Sequence, residues 1–259
     1  VQPDPHLVEL LTASRRTLFF TGAGISTGSG IQDYRGPDGV WKTRRPVYYQ
    51  NFLTSHEARV ESWDQKLASW PTMRDAAPNP THHAIARLEA DGRVLLVATQ
   101  NIDGLHARAG TSPERLVELH GTALEIECLG CGTRSKPDAH LEKFRATGQP
   151  PVCDDCGGLL KSATISFGQS LRQEDLGRAF AAAKSADLVI ALGSTLSVQP
   201  AASLPLAAAE RGVPYVIINR GPTEHDGMGA VTLRLDGDVS NILPPAVDAV
   251  VGARHRPQP

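Results

Sequence analysis

The stretch from Leu18 to Trp41 constrains this chain most, because an apolar run feeds there directly into closely spaced glycines. Thr17 to Phe20 is predicted as a buried strand, and Gly22 and Gly24 lack the Cβ atoms that would hold backbone N–H groups away from a diphosphate. A strand, a tight turn and a phosphate cradle follow one another, as at the start of a dinucleotide-binding sheet. The usual fingerprint has glycines at its first, third and sixth positions, whereas here Gly22 and Gly24 are followed by Gly28, one residue late. The loop is a variant. Ser26, Asp33, Tyr34 and Arg35 then put a hydroxyl, a carboxylate, an aromatic ring and a guanidinium into one turn-rich segment. Each also has a plain structural reading: Asp33 with Arg35 as a surface ion pair, Tyr34 as a cover for the core.

With 259 residues and 41% hydrophobic side chains, the chain can build one large domain and a smaller one. A formal net charge of -2 gives no overall basic field for nucleic acid. No apolar stretch approaches the roughly 20 residues needed to span a bilayer. Val1 to His6 has neither a basic nor an apolar leader character, so a cytoplasmic monomer without membrane or nucleic-acid partners is the expectation. The Pro-rich segment Ala253 to Pro259 is the one low-complexity stretch.

Along the chain, helical spacing predicts a short helix from His6 to Ala13 and another from about Glu57 to Trp70, stopped by Pro71. Trp63 and Trp70 share a face of the second helix and read as core. Gly36 to Pro78 thereby becomes an insertion beside the glycine loop. Regular α/β alternation resumes with a helix at Thr81 to Ala90 and a buried parallel strand at Arg93 to Ala98. Ligands of open α/β sheets lie beyond the carboxyl ends of strands, which places Gln100, Asn101 and Asp103 beside a cofactor. Asp103 reads equally as a helix cap. Val117 to Leu119 is a further apolar segment, ending in His120, whose neutral-range titration suits a general base. Asp187 to Leu192 is a strand ending in Gly193, Ser194 and Thr195, followed by a helix from Pro200 to Arg211. Pro214 to Ile218 is a strand ending in Asn219, Arg220 and Gly221, and Asn219 is the candidate for holding an adenosine ribose. Val231 to Leu235 is the last strand, and Gly237, Asp238 and Val239 open a final helix.

The four cysteines fall as Cys128-x2-Cys131 and Cys153-x2-Cys156, with 21 residues between the pairs. Two such pairs suit a tetrahedral zinc, and no spare ligand nearby opens a coordination position, so the metal is expected to be structural. Two disulfides or a thioredoxin-like dithiol are the alternatives; the first needs an export signal and the second a βα unit opening at a pair.

The string Gly22-Ala23-Gly24-Ile25-Ser26-Thr27-Gly28 through Asp33-Tyr34-Arg35, together with Thr99-Gln100-Asn101-Ile102-Asp103-Gly104-Leu105-His106, Leu119-His120-Gly121 and the cysteine pairs, resembles the sirtuins, NAD-dependent protein-lysine deacylases, in their bacterial type. The resemblance implies an α/β fold. A Rossmann-like parallel sheet would comprise residues 1–35, 79–121 and 163–259, and a smaller zinc-ribbon and helical domain residues 36–78 and 122–162. It implies NAD as a consumed co-substrate, one structural zinc ion, and nicotinamide and O-acyl-ADP-ribose as products of acyl-lysine protein substrates. By the same resemblance His120 is the general base, Asn101 orients ribose and water, Ile102 and Asp103 hold the carboxamide, Arg35 binds diphosphate or ribose, and Tyr34 shields the reacting carbon. The peptide clamp would be Ile165, Phe167 and Gly168 on one side and a second strand with Ser197 and Val198 on the other. Gln169 departs from the family's common Glu, and Lys161-Ser162 from its Arg-Pro. The Tyr-x-x-Arg pair of succinyl-preferring members has no counterpart in Arg59 to Leu67, which implies a preference for uncharged acyl groups unless Arg44, Arg45 or Lys66 enters the pocket. An ADP-ribosyltransferase on the same fold and a non-catalytic NAD-sensing scaffold are the other functions open to such a chain.

Overall fold

The computed structural model describes residues 2–36 and 39–252; the Pro-rich segment from Ala253 onward lies outside them. In chain order the strands are β1 Thr17–Thr21, β2 Val94–Thr99, β3 Leu116–Glu118, β4 Gly121–Cys128, β5 Arg134–Ser135, β6 Leu160–Thr164, β7 Leu188–Leu192, β8 Tyr215–Asn219 and β9 Leu233–Asp236. The helices are α1 Pro5–Ala13, α2 Tyr49–Thr54, α3 His56–Asp75, α4 Pro80–Ala90, α5 Leu105–Arg108, α6 Pro137–Thr147, α7 Gln173–Ala183, α8 Ser203–Ala209 and α9 Val239–Gly252.

Six strands form a parallel sheet in the order β3-β2-β1-β7-β8-β9. Both faces of its central strands are covered, which is why β1 is apolar without alternation. Phe19 points with Val97, Ile190 and Val216 toward α1, α4 and α9, while Leu18 and Phe20 point with Ala98 and Val189 toward α7 and α8. Burying each such large side chain contributes roughly 1.5–3 kcal/mol, so the sheet centre is a main source of stability. The chain runs from β1 outward through β2 to β3 and later returns to the other side of β1 at β7. The crevice of this topology therefore opens where β1 and β7 end, at Gly22 and Gly193.

The second sheet is antiparallel, in the order β5-β4-β6, and packs Ile126 and Leu160 against Trp63 and Trp70 of α3 and Leu141 and Phe144 of α6. Trp63 Nε1 donates to the Leu160 carbonyl at 3.2 Å and Trp70 Nε1 to Asp138 at 2.9 Å, so both tryptophans are core with satisfied N–H groups.

Several expectations need correction. Pro71 does not stop α3, which continues to Asp75; Pro71 itself is exposed, and Trp70 and Met73 on either side of it are held by the small core. The helix expected from Pro200 is shorter, Ser203–Ala209, and follows a cis Gln199–Pro200 peptide. Ser197 and Val198 lie outside any strand, Val198 in a bend, so the second side of the expected clamp is a loop. On the first side, β6 ends at Thr164, and Ile165 to Gly168 leave the sheet. Helices α6 and α7 and the long strand β4 were not anticipated, because their buried faces are made mostly of alanines or of few large apolar side chains.

Candidate functional site

The glycine loop is built by close packing. Gly22 N–H donates to Leu192 O at 2.9 Å and Gly24 N–H to Gly193 O at 2.8 Å. A Cβ at Gly22 would lie 2.7 Å from the Gly193 oxygen, and one at Gly24 2.8 Å from the Gly193 Cα. Gly193 has φ +59 and would itself clash with Ile25 N. The three glycines thus let the ends of β1 and β7 touch at the crevice. Gly28, the displaced one, would meet only Asn79 and Ser240 at 3.5 Å, an ordinary contact, so packing does not dictate it. A turn of 3-10 helix from Ala23 to Ser29 follows.

Ser26, Asn101 and Asp103 converge behind this turn. The buried Ser26 hydroxyl donates to Asp103 Oδ2 at 2.7 Å and accepts from Asn101 Nδ2 at 3.1 Å. Asp103 Oδ1 accepts from Leu105 N–H at 2.9 Å, so Asp103 both caps α5 and joins the cluster. Burial pushes its carboxyl above the usual range, opposed by the Leu105 N–H and the Ser26 hydroxyl. Asn101 is fixed through its backbone as well: its N–H donates to Thr99 Oγ1 at 3.0 Å, and Thr99 also accepts from Thr21 Oγ1 at 2.8 Å. Behind Thr21 lies His106, 3.0 Å away and held neutral by burial, down to about 3. The side chain of Ile102 is half-buried, and its carbonyl accepts from Ala123 N–H at 2.8 Å, tying the segment to β4.

His120 follows β3. Its Nδ1 lies 3.0 Å from the Gln100 carbonyl, which can only accept, so Nδ1 carries the proton and Nε2 keeps a lone pair. Burial pushes its proton affinity down; the Gln100 carbonyl opposes this and the charge of Arg35 adds to it. Gln100 is itself braced by Ser194, its Nε2 donating to Ser194 Oγ at 2.8 Å. Residues from the ends of β1, β2, β3 and β7 are therefore joined by hydrogen bonds.

Asp33 accepts the Gly36 N–H at 2.7 Å, while the Arg35 guanidinium lies 4.2 Å above the ring of Trp41. Their side chains have these partners in place of an Asp33–Arg35 ion pair. Tyr34 also packs on Trp41, with ring centroids 4.9 Å apart, and burial pushes its hydroxyl upward. Trp41 meets Phe167 edge-on at 5.1 Å, and the Phe167 carbonyl accepts from Tyr49 N–H at 2.8 Å. The Ile165 N–H donates to the His120 carbonyl at 2.8 Å, which sets the expected clamp directly beside the histidine. Gln169 Oε1 accepts from Ser166 N–H at 3.1 Å, and the buried Lys161 ammonium donates to the carbonyls of Ser162 and Thr164. Of the two departures from the resemblance, Gln169 thus braces the turn that carries Phe167 and Gly168, and Lys161 braces the end of β6 that leads into it. Sequence reading missed Trp41 and Tyr49 in these roles, although an aromatic residue closing a polar, turn-rich loop was the available signal.

Farther along the crevice, Asn219 is buried and donates to the Arg220 and Gly221 carbonyls, both at 3.1 Å. Arg220 pairs with Asp238 at 2.6 Å, and Asp238 caps α9 through Ser240 N–H at 2.9 Å. Val239 sits in the core, which leaves only its backbone for a ligand. Thr195 Oγ1 and Ser197 Oγ are 2.9 Å apart, and Val198 is half-buried beside them.

The sulfur atoms of Cys128, Cys131, Cys153 and Cys156 all lie within 4.8 Å of one another. Cys128 and Cys156 are 3.4 Å apart and Cys131 and Cys153 3.8 Å, close to the about 3.8 Å edge of a tetrahedron with zinc–sulfur bonds of about 2.3 Å. Backbone N–H groups of Gly130 and Gly158 point at Cys128 and Cys156, each at 3.4 Å. A donor set of four thiols with N–H support fits a structural zinc. The glycines at the crevice are required by the backbone-to-backbone approach of β1 and β7, which commits the Gly22 and Gly24 N–H groups to the Leu192 and Gly193 carbonyls. This leaves main chain rather than side chains at the mouth, a surface that fits a dinucleotide diphosphate.

Known proteins resemble this arrangement over nearly its whole length. The chain is 42% identical over 231 residues to the NAD-dependent protein deacetylase 1 of Bradyrhizobium diazoefficiens, covering 89% of this chain and 91% of the relative. It is 43% identical over 231 residues to the NAD-dependent protein deacetylase of Rhodopseudomonas palustris, with the same coverage of 89% and 91%. A solved structure of Sir2 with p53 peptide and NAD+ superposes with a TM-score of 0.86 at 35% identity, covering 96% of this chain and 98% of that one. The sequence model of the Sir2 family matches residues 22–200, and the chain belongs to that family.

Proposed function

We propose that this protein removes acetyl or other uncharged acyl groups from protein lysines at the expense of NAD, releasing nicotinamide and O-acyl-ADP-ribose. The carrying observation is the hydrogen-bonded set of Ser26, Asn101 and Asp103 at the crevice, next to a neutral His120 whose Nε2 is available as a base. Bound NAD supplies an electrophilic ribose carbon as nicotinamide leaves, and it is consumed. The protein's part is positional and electrostatic. Gly22 and Gly24, whose N–H groups are donated to Leu192 and Gly193, let β1 and β7 approach closely, and the backbone of the turn at Ala23 would meet the diphosphate, with Arg35 as its cation. Asn101, anchored through Nδ2, would turn its Oδ1 toward ribose hydroxyl or water, while Ile102 and Asp103 face the carboxamide. Asp103, with its proton affinity raised by burial, suits an amide partner better than a cation. His120 would accept a proton at Nε2 from the ribose hydroxyls, and Tyr34 would separate the reacting carbon from released nicotinamide. Asn219, Arg220, Gly221, Asp238 and the Val239 backbone would hold the adenosine end, with Gly193, Ser194 and Thr195 between. The peptide would lie along Ile165, Phe167 and Gly168, opposite the Ser197–Val198 loop. In this reading residues 36–78 and 122–162 form the smaller domain around the zinc, and the cleft beside it receives the acyl-lysine.

Acyl selectivity would follow from where the cations lie: Arg59 and Lys66 are engaged by the fold, and Arg44 and Arg45 face solvent. Arg59 donates to the Phe52 and Leu53 carbonyls at 3.0 and 3.2 Å, and Lys66 donates to the Ala123 carbonyl and lies 4.5 Å over Trp70. Arg44 and Arg45 are exposed, and so is Asp64. A substrate carboxylate in the pocket would lose water without gaining a partner, at a cost of several kcal/mol. Matched acetyl, longer fatty-acyl and succinyl peptides at saturating NAD test both the activity and the preference. Turnover should require NAD, and kcat/KM for acetyl should exceed that for succinyl by roughly tenfold or more. A succinyl peptide that wins by that margin contradicts the preference and points to Arg44, Arg45 or Lys66. No turnover of any peptide contradicts the activity.

A further inference from the structure

We propose that Trp41 is a positioning residue that couples NAD binding to acyl-peptide binding; this rests on the reading above. One indole touches both halves of the site. Its face carries the Arg35 guanidinium at 4.2 Å and packs against Tyr34 at 4.9 Å, and its edge meets Phe167 at 5.1 Å with the planes 65° apart. Its backbone N–H donates to the Tyr34 carbonyl at 3.1 Å, and Val40 N–H to the Asp33 carbonyl at 2.9 Å, so the indole moves with the loop that holds the cofactor residues. Phe167 in turn packs near the exposed Tyr48 at 5.9 Å and is pinned through its carbonyl by Tyr49. Trp63 and Trp70 fill the small core, whereas Trp41 is half-buried at the crevice, where packing alone does not call for the largest side chain.

The physical consequence is a shared ordering cost. A peptide seated on Phe167 fixes the edge against which Trp41 leans, and that sets the face on which Arg35 rests. The dinucleotide then meets a guanidinium already in place and orders less on binding. Linkage requires the reverse effect to be equal: the dinucleotide tightens the peptide by the same factor.

ADP-ribose, which lacks the nicotinamide leaving group and so cannot turn over, is titrated calorimetrically into the full chain alone and into the chain saturated with acetyl-lysine peptide. The parent should bind it about five- to tenfold tighter with peptide present. Trp41→Leu should bring that ratio to about one, and Trp41→Phe, with a weaker cation-binding face, to an intermediate value. The ratio is the readout that a merely structural role would not move, because a general loss of packing weakens both titrations alike. A parental ratio in either variant, or a parent ratio near one in a protein that deacylates, overturns the proposal and leaves the activity standing. If Trp41→Leu lowers the melting temperature, Trp41→Phe decides by itself. A parent that binds neither ligand contradicts the NAD-dependent reading.

Discussion

Replacing His120 with alanine is expected to lower acyl-lysine turnover by roughly 10²-fold or more while NAD binding stays within a few-fold. The histidine follows β3, and its ring is anchored through Nδ1 at the Gln100 carbonyl, so removing the ring leaves the glycine loop and the Ser26–Asn101–Asp103 set in place. The loss should therefore fall on kcat. The pH profile supplies a second signature. Burial lowers the proton affinity of His120, so it remains the neutral base below its ordinary range near 6.5. In the parent, the acid limb of kcat/KM should accordingly lie below that value, with activity lost as falling pH protonates the ring; in His120→Ala this limb should vanish. Asn101→Ala should be comparably damaging, since it removes the amide that Ser26 holds in place. Parental turnover in His120→Ala would show that another group is the base.

Zinc removal should unfold the smaller sheet and abolish activity together. The four sulfurs crowd within 4.8 Å, and Cys128 ends β4, the strand that packs through Ile126 and is paired with β6. Without metal the site becomes a cluster of mutually repelling thiolates or poorly buried thiols, and the free energy of binding, about 10–16 kcal/mol in zinc-finger peptides, no longer supports the fold. The damage should reach the chemistry because β6 leads through Lys161 and Thr164 into Ile165, whose N–H is bonded to the His120 carbonyl. Chelation followed by thermal unfolding and an activity assay checks this. An unchanged melting curve and full activity in protein that elemental analysis shows to be free of zinc would contradict it.

The parallel sheet was legible in the sequence because its strands are buried on both faces, so Leu18 to Phe20 and Val189 to Leu192 are uninterrupted apolar runs that end in polar residues. Chain order alone then pointed to residues at strand ends, and the structure joins Gln100, Asn101, Asp103 and His120 there. The smaller sheet was harder to read. Strand β4 buries only alternate residues against a modest core, and α6 and α7 present few large apolar side chains. The continuation of α3 past Pro71 depends on tertiary anchoring by Trp70 and Met73, which no local rule contains. Trp41 escaped notice for a similar reason: its partners Arg35 and Tyr34 are close in sequence, but Phe167 is brought to it only by the fold.

The most direct measurement is mass spectrometry of a mixture of protein, NAD and an acetyl-lysine peptide. The account predicts three products in equal amount: peptide lighter by its acetyl group, nicotinamide, and ADP-ribose heavier by that acetyl group. An unchanged peptide mass, or a protein or peptide carrying ADP-ribose with the acetyl group still on lysine, would contradict it.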